Sequence, residues 1–401
     1  MATTARATAL TGGSVGRGRQ KGHQVRFLHE ERQTLEACLP GLDAQLASAP
    51  LSELESPGNQ AIEWFREAGG AALVVPNDYR GFGATPLTAI QVQRAIGSRS
   101  PSLAVATTMH HFSVASVVEL DQDGDGFEWM LLEAIADGGK LLASGFAEGT
   151  RGQGVFSPTM TARRDGKRIY VTGKKKPCSL SRSMDLLTAS VTVQSENGDG
   201  DELAVAMVPA DAEGVAIEPF WGSHVLAGAE SDAVILNDVA VDDELVFPLG
   251  EPGSDQLDAV QEAGFLWFAL LMTASYLGAA SALVERAIAQ PRGDASQALN
   301  AIGELESVMA SLEGIAHRLE AGEKGSWLLT RALLCRYAAQ DSITRAVAIA
   351  VELAGGMAFV ASDDVNYLAG ATRALAFHPP GRPRTAAALV DAVGGAELQI
   401  A

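Results

Sequence analysis

Cysteine is scarce. The three in 401 residues, Cys38, Cys178 and Cys335, are widely spaced and odd in number, which excludes a disulfide framework and a clustered zinc site and suits a reducing cytoplasm. Basic residues are outnumbered, 30 Lys and Arg against 49 Asp and Glu, and the net charge of −19 excludes nucleic acid or an anionic membrane as main partner outside a local basic patch. Residues 1–29 lack any acid and carry Arg6, Arg17, Arg19, Lys21 and Arg26, but they also lack the continuous apolar core of a secretory signal. Residues 1–25 read as a disordered head, with a targeting arm as the alternative.

Apolar residues are plentiful: at 47% hydrophobic, the chain can bury a sizeable core divided into two or three units. Ala263 to Val284 runs 22 residues without a charge, long enough to span a bilayer. Gly264, Thr273, Ser275, Tyr276, Gly278 and Ser281 dilute it, and Glu262 and Glu285 flank it without a basic cluster, so it reads as a buried bundle helix. From Leu299, the residues Ile302, Leu305, Val308, Leu312, Ile315 and Leu319 recur at helical spacing. A third helix follows from Trp327 to Leu353 and ends at Gly355-Gly356, and a last one begins near Ser362-Asp363-Asp364. The C-terminal third is therefore a bundle of about four helices.

Between these helices and an N-terminal helical region the pattern changes to strands. Met160–Arg164, Asp165-Gly166 and Lys167–Val171 read as a hairpin with an Asp-Gly turn. Leu186–Gln194, Leu203–Val208, Gly214–Phe220 and Ala233–Val241 add strands, with a polar turn at Asn197–Asp201. The predicted fold is α+β: a helical domain over 26–140, a central antiparallel β-domain over 141–250 and a helical bundle over 251–401.

Several segments, met in this order, resemble motifs of the acyl-CoA dehydrogenase superfamily, whose fold has that layout. Glu63 to Ala84, with Pro76 and Gly81-Phe82-Gly83, is similar to its flavin-side segment, and Thr107-Thr108-Met109-His110-His111 falls where its helix faces the substrate cavity. Ser144-Gly145-Phe146-Ala147-Glu148-Gly149 resembles its flavin loop, Val171-Thr172-Gly173-Lys174-Lys175 its Asn-Gly-x-Lys turn, and Asn237–Val241 its Asp-x-Val-x-Val strand. Glu352 to Phe359, with Gly355-Gly356-Met357, is similar to the motif that contacts the cofactor diphosphate across a dimer interface. A glycine pair lets backbone approach a phosphate closely, although a plain helix C-cap reads the same way. The resemblance implies FAD, or FMN in its place, with Phe146, Ala147, Glu148, Cys178, Ser179, Gly355, Gly356 and Met357 as flavin contacts, Met109 and Arg373 toward substrate, and a homodimer or homotetramer.

The departures from the family direct the functional reading. Dehydrogenation of an acyl thioester needs a carboxylate base. The family's Tyr-Glu-Gly turn is absent, the corresponding stretch being Arg373-Ala374-Leu375-Ala376-Phe377-His378-Pro379-Pro380-Gly381, and its alternative Glu position falls near Phe268. An Arg followed by a His there resembles the superfamily's flavin-dependent monooxygenases, which take reduced flavin from a partner reductase and need hydrogen-bond donors in a shielded pocket. His378 and His110 or His111 are the catalytic candidates. His378 suits a surface turn equally well, and His110 and His111 project about 100° apart on a helix, so at most one faces a given cavity and the pair is wrongly spaced for a metal.

Pro177 replaces the family's stacking aromatic, Ser179 can still bond the flavin edge, and Cys178 is either a site residue or a buried structural thiol. The family's Arg-x-x-Phe-Gly is missing from Arg286–Ser296, where Arg292 is the available substitute. Lys174-Lys175-Lys176 either greets a phosphate or is a solvated hairpin end. The leading reading is a reduced-flavin-dependent monooxygenase acting on a small organic substrate. Its alternatives are an acyl-CoA or acyl-carrier-protein dehydrogenase with a relocated base, and a scaffold that has lost its cofactor.

Overall fold

Two prolines and their preceding hydroxyls set the frame of the N-terminal region. Thr85 and Ser100 accept the Thr88 and Leu103 amides, and Pro86 and Pro101 fill first-turn positions where no N–H is needed. They open α5 (Pro86–Arg99) and α6 (Pro101–Leu120), which follow α1 (His29–Cys38), α2 (Leu42–Ser48), α3 (Leu51–Leu54) and α4 (Ala61–Glu67) and precede α7 (Glu128–Gly138). The computed structural model describes residues 26–121, 127–148, 158–194, 201–249, 257–289 and 294–400. The 1–25 head, Gly149, most of the Asn197–Asp201 turn and Arg292 lie outside the described residues.

The central strands are β1 (Leu142–Gly145), β2 (Thr161–Asp165), β3 (Arg168–Cys178), β4 (Leu186–Gln194), β5 (Glu202–Pro209), β6 (Val215–Glu218), β7 (Asp232–Asp242) and β8 (Val246–Pro248). They form one sheet in the order β6-β7-β3-β2-β4-β5-β8, with β1 alongside β4. The Asp165-Gly166 hairpin is present, with Gly166 at φ +62° as the turn requires. The sheet is mixed where the sequence pattern predicts an antiparallel one. After β3 the chain returns beside β2, so β4 runs parallel to β2, and β1 takes the first half of the same β4 edge, also in parallel. A period-two pattern marks a strand's faces and carries no information about which neighbour it joins.

The C-terminal bundle comprises α8 (Ala259–Ile288), α9 (Ala295–Glu320), α10 (Ser326–Ala361), α11 (Asp363–Ala371) and α12 (Arg382–Val393). The helix α12 follows the one the sequence presents as last. Asp258 and Gln261 close a capping box at the start of α8. At Gly355 (φ 79°, ψ 161°) the helical path of α10 breaks and resumes for a short stretch.

Among the described residues three helices, α6, α8 and α10, are long and apolar enough to cross a membrane, but their surroundings differ. In α8, 94% of the most apolar window is buried inside the protein, so its apolarity is used in packing; in α10 only 22% is. Where α8 passes α5 the backbones touch: a Cβ on Gly278 would stand 2.3 Å from the Arg94 carbonyl oxygen, and one on Gly97 2.2 Å from that of Ser275. This contact draws α8 against the N-terminal helices and sets the distance between α6 and α8, the walls of the cavity described next.

Candidate active site

A cavity of about 350 Å³ lies between α6, α8, one end of the sheet and the segment from Ala374 to Pro379. Among the described residues its lining contains no Asp, Glu, Lys or Arg. From α6 come Met109, Phe112, Ser113 and Ser116, a stripe at helical steps of three and four. The hydroxyls of Ser113 and Ser116 donate to the carbonyls of Met109 and Phe112 one turn back, and Thr188 donates to Ala143, so these polar groups are satisfied within the wall. What remains for an occupant is Ser144, the Ser179–Ser231 hydroxyl pair at 2.9 Å, Gln261 and the imidazole of His378.

His378 lines the cavity. Its Nε2 is 2.7 Å from the hydroxyl of Tyr276, and its ring stands edge-on to Phe268 with centroids 6.1 Å apart. Burial, reinforced by the nearby Arg336 charge, pushes its pKa down to about 3, so the ring is neutral. Arg336, itself fully buried, donates to the carbonyls of His378 (2.5 Å) and Pro379 (2.9 Å) and thereby holds the segment that carries His378. Phe268, at the family's alternative base position, presents a ring to the cavity and packs edge-on against Phe112 at 5.3 Å.

The other histidines face elsewhere. The Leu142 amide donates to His110 Nδ1 (3.1 Å), so the neutral ring carries its proton on Nε2 and donates it to the Ala71 carbonyl (2.9 Å). Burial pushes this imidazole down to about 4, and its geometry is that of a strut joining α6 to β1 and to the turn after α4. His111 is buried against Phe65 and His110 with neither nitrogen hydrogen-bonded among the described residues, and burial pushes its pKa well down. Neither ring lines the cavity.

Of the flavin candidates, Phe146, Ala147 and Ser179 line the cavity together with Pro177, while Cys178 and Glu148 lie behind it. The Cys178 thiol is buried and pushed up to about 12 by that burial. Lys175, in the run read as a phosphate contact or a solvated end, is buried and pairs with Glu148 at 2.6 Å. Glu148 also accepts the Thr159 amide and hydroxyl; burial opposes its charge, but the bonds from Lys175 and Thr159 outweigh it and hold the carboxyl at about 2. This pair, with the Lys176 amide donating to the Ala147 carbonyl (2.8 Å), pins the Phe146–Glu148 loop against β3. Gly355, Gly356 and Met357 sit at the break in α10, away from the cavity, with Met357 79% exposed. Arg373 is exposed and donates to Thr344 (3.3 Å).

Residues that no motif marks complete the site. Phe112, Ser113 and Ser116 follow from Met109 by helical periodicity alone, whereas Ser231, Tyr276 and Arg336 reach it only through tertiary packing. The cavity brings together the rings of Phe146, Trp221 and Phe268 and the hydroxyls of Ser144, Ser179 and Ser231, an apolar lining with a few hydrogen-bonding groups. That donor set fits an isoalloxazine.

No family model matches the chain. It is 41% identical over 379 residues to the isobutylamine N-hydroxylase of Streptomyces viridifaciens, covering 94% of this chain and all of that one. It is 26% identical over 229 residues to the dibenzothiophene monooxygenase of Rhodococcus qingshengii, covering 56% and 54% of the two chains. Among solved structures it is similar to TdsC of Paenibacillus sp. A11-2 with FMN and indole (TM-score 0.76, 19% identity, 92% and 96% covered). It is also similar to KijD3 with FMN and a dTDP-linked amino-keto sugar (TM-score 0.77, 18% identity, 92% and 95% covered).

Proposed function

The chain belongs to the acyl-CoA dehydrogenase superfamily and is a flavin-dependent monooxygenase within it, and from that premise we propose that it N-oxygenates a small aliphatic amine bound as the free base. The observation that carries this reading is the cavity wall, which among the described residues has no charged side chain. An ammonium buried there would lose its hydration without gaining a counter-ion, whereas the neutral amine enters freely and keeps the lone pair that an oxygen atom must meet. Among the described residues the same wall offers no carboxylate to take the α-proton of a thioester, which argues against dehydrogenation.

FMN is the proposed form of the flavin. The relatives TdsC and KijD3 are described with FMN, and Pro177 stands where the family stacks an aromatic ring. Reduced flavin, when bound, supplies the activated oxygen. Ser144 and Ser179 would bond its polar edge, Phe146 and Trp221 cover its faces, and Phe112 and Phe268 keep water from the reacting atoms. His378, which lines the cavity, would offer them the ring nitrogen that Tyr276 leaves free.

A separate reductase is the proposed source of reduced flavin, and the cytoplasm the proposed compartment, the latter supported by three free cysteines. A homo-oligomer is supported by the exposed apolar end of α10, where Met357, Phe359 and Val360 face outward.

The test supplies FMN, NADH, a flavin reductase and ¹⁸O₂, and offers isobutylamine, indole, dibenzothiophene and acyl-CoA thioesters in parallel. A hydroxylamine bearing ¹⁸O from the amine is the expected product. Oxygenation of the aromatic substrates alone, or anaerobic bleaching of bound flavin by a thioester, would overturn the reading.

A further inference from the structure

Tyr276 and His378 are 102 residues apart and belong to no shared motif, yet they pair at the cavity wall, with His378 lining it and Tyr276 behind. The Tyr276 side chain is 1% exposed, and among the described residues the one hydrogen-bond partner of its hydroxyl is Nε2 of His378, at 2.7 Å. A buried hydroxyl proton without an acceptor is costly, so the phenol donates. The phenol stays protonated, its pKa raised by burial, and the imidazole stays neutral, since burial and the Arg336 charge both disfavour a second proton. A neutral imidazole that accepts at one nitrogen carries its proton at the other.

We propose that Tyr276 is a positioning residue: by donating to Nε2 it fixes His378 as the Nδ1–H tautomer and turns a hydrogen-bond donor toward the cavity. Its use in catalysis rests on the monooxygenase reading. There a fixed N–H, already oriented, stabilises negative charge that grows on oxygen as the transferred atom departs. The opposite tautomer would turn a lone pair toward that charge. Arg336 completes the arrangement from below by fixing the backbone on which the ring hangs, bonding the carbonyls of residues 378 and 379 with no carboxylate of its own among the described residues. His110 provides an internal contrast, since its two partners fix the Nε2–H form.

The test begins with wild-type protein labelled with ¹⁵N-histidine, whose long-range ¹⁵N–¹H correlations distinguish the two neutral tautomers, with His378→Gln to assign the signal. Protonated Nδ1 and bare Nε2 at His378, opposite to His110, are expected. Protonation at Nε2 overturns the proposal whatever the substrate proves to be, so its failure is separable from that of the amine reading. In Tyr276→Phe, which keeps the ring and removes only the hydroxyl, the tautomer signals should mix. The share of reducing equivalents lost as hydrogen peroxide should rise at least fivefold, and KM for the oxygenated substrate should change less than twofold. Unchanged coupling in a variant whose tautomers do mix would show that the fixed donor has no catalytic use and overturn that part.

Discussion

The ammonium of Lys175 on β3 meets the carboxylate of Glu148 at 2.6 Å, with the two side chains 0% and 5% exposed. The pair joins the cavity's Phe146–Glu148 loop to the sheet, and Ser190 takes a second Lys175 bond at 3.0 Å. Replacing Lys175 by Met removes one partner and leaves a buried carboxylate, a change that costs about 3–5 kcal/mol. Urea unfolding of Lys175→Met should show that loss near neutral pH, with weaker flavin binding as the loop loosens. The wild-type advantage is present above the ordinary Glu value of 4.5 and lost as pH falls toward the folded value of about 2, so the two proteins should converge in acid.

That pair also marks the limit of what the sequence discloses. Lys174-Lys175-Lys176 carries no sign of which lysine turns inward, because burial is decided by what β3 meets only on folding, β7 alongside it and Glu148 and Ser190 at the Lys175 ammonium. Strand positions and the Asp-Gly hairpin were legible since each follows from local periodicity and turn chemistry, and the three-part layout follows from their order. The parallel pairing of β4 with β1 and β2 was not, as strand neighbours depend on connections rather than on pattern. In the site, Met109, Phe146, Ala147, Ser179 and His378 could be named from motifs and do line the cavity. Tyr276 and Arg336 could not, since both sit in apolar helical runs with nothing nearby to single them out.

Acid should destabilise the fold through its buried imidazoles. His110, His111 and His378 are held neutral with pKa values below the ordinary 6.5, at about 4 for His110 and about 3 for His378. A group with a depressed folded pKa binds more protons when unfolded, so this stability is complete above 6.5 and is lost as pH falls toward the folded values. Thermal melts should therefore be flat above pH 7 and drop steeply between 6 and 4, by up to about 1.4 kcal/mol per pH unit for each imidazole. His111→Leu, which replaces a ring without partners, should be within about 1 kcal/mol of wild type at pH 7.5 and should shallow the acid slope.

The crossing of α5 and α8 has no room for a methyl group. An alanine Cβ at 278 would lie 2.3 Å from the Arg94 carbonyl oxygen and 2.9 Å from Gly97 Cα, both of them backbone atoms that cannot rotate away. Gly278→Ala should cost about 1–3 kcal/mol, the usual penalty of overpacking. Gly303→Ala, where nothing lies within 4 Å, is the control and should leave stability unchanged or slightly raised, since alanine is the better helix former. Denaturant midpoints of the two variants decide between a close-packed crossing and a tolerant one.

If the substrate enters as a free base, the pH profile of kcat/KM belongs to the substrate rather than to the protein. No charged residue lines the cavity among the described residues, and His378, with its pKa near 3, does not titrate between pH 6 and 9. A simple alkylamine ionises near the Lys side-chain value, ~10.4, so kcat/KM should climb about tenfold per pH unit across that range. A fluorinated analogue of lower basicity should reach its plateau earlier, displaced by the difference between the two amine pKa values. kcat under saturating substrate should stay nearly flat, because the amine is then already bound and neutral. A single inflection shared by both amines would instead place the titrating group on the protein and would sink the free-base reading. The reductase is kept in excess at every pH so that flavin supply does not shape the curve.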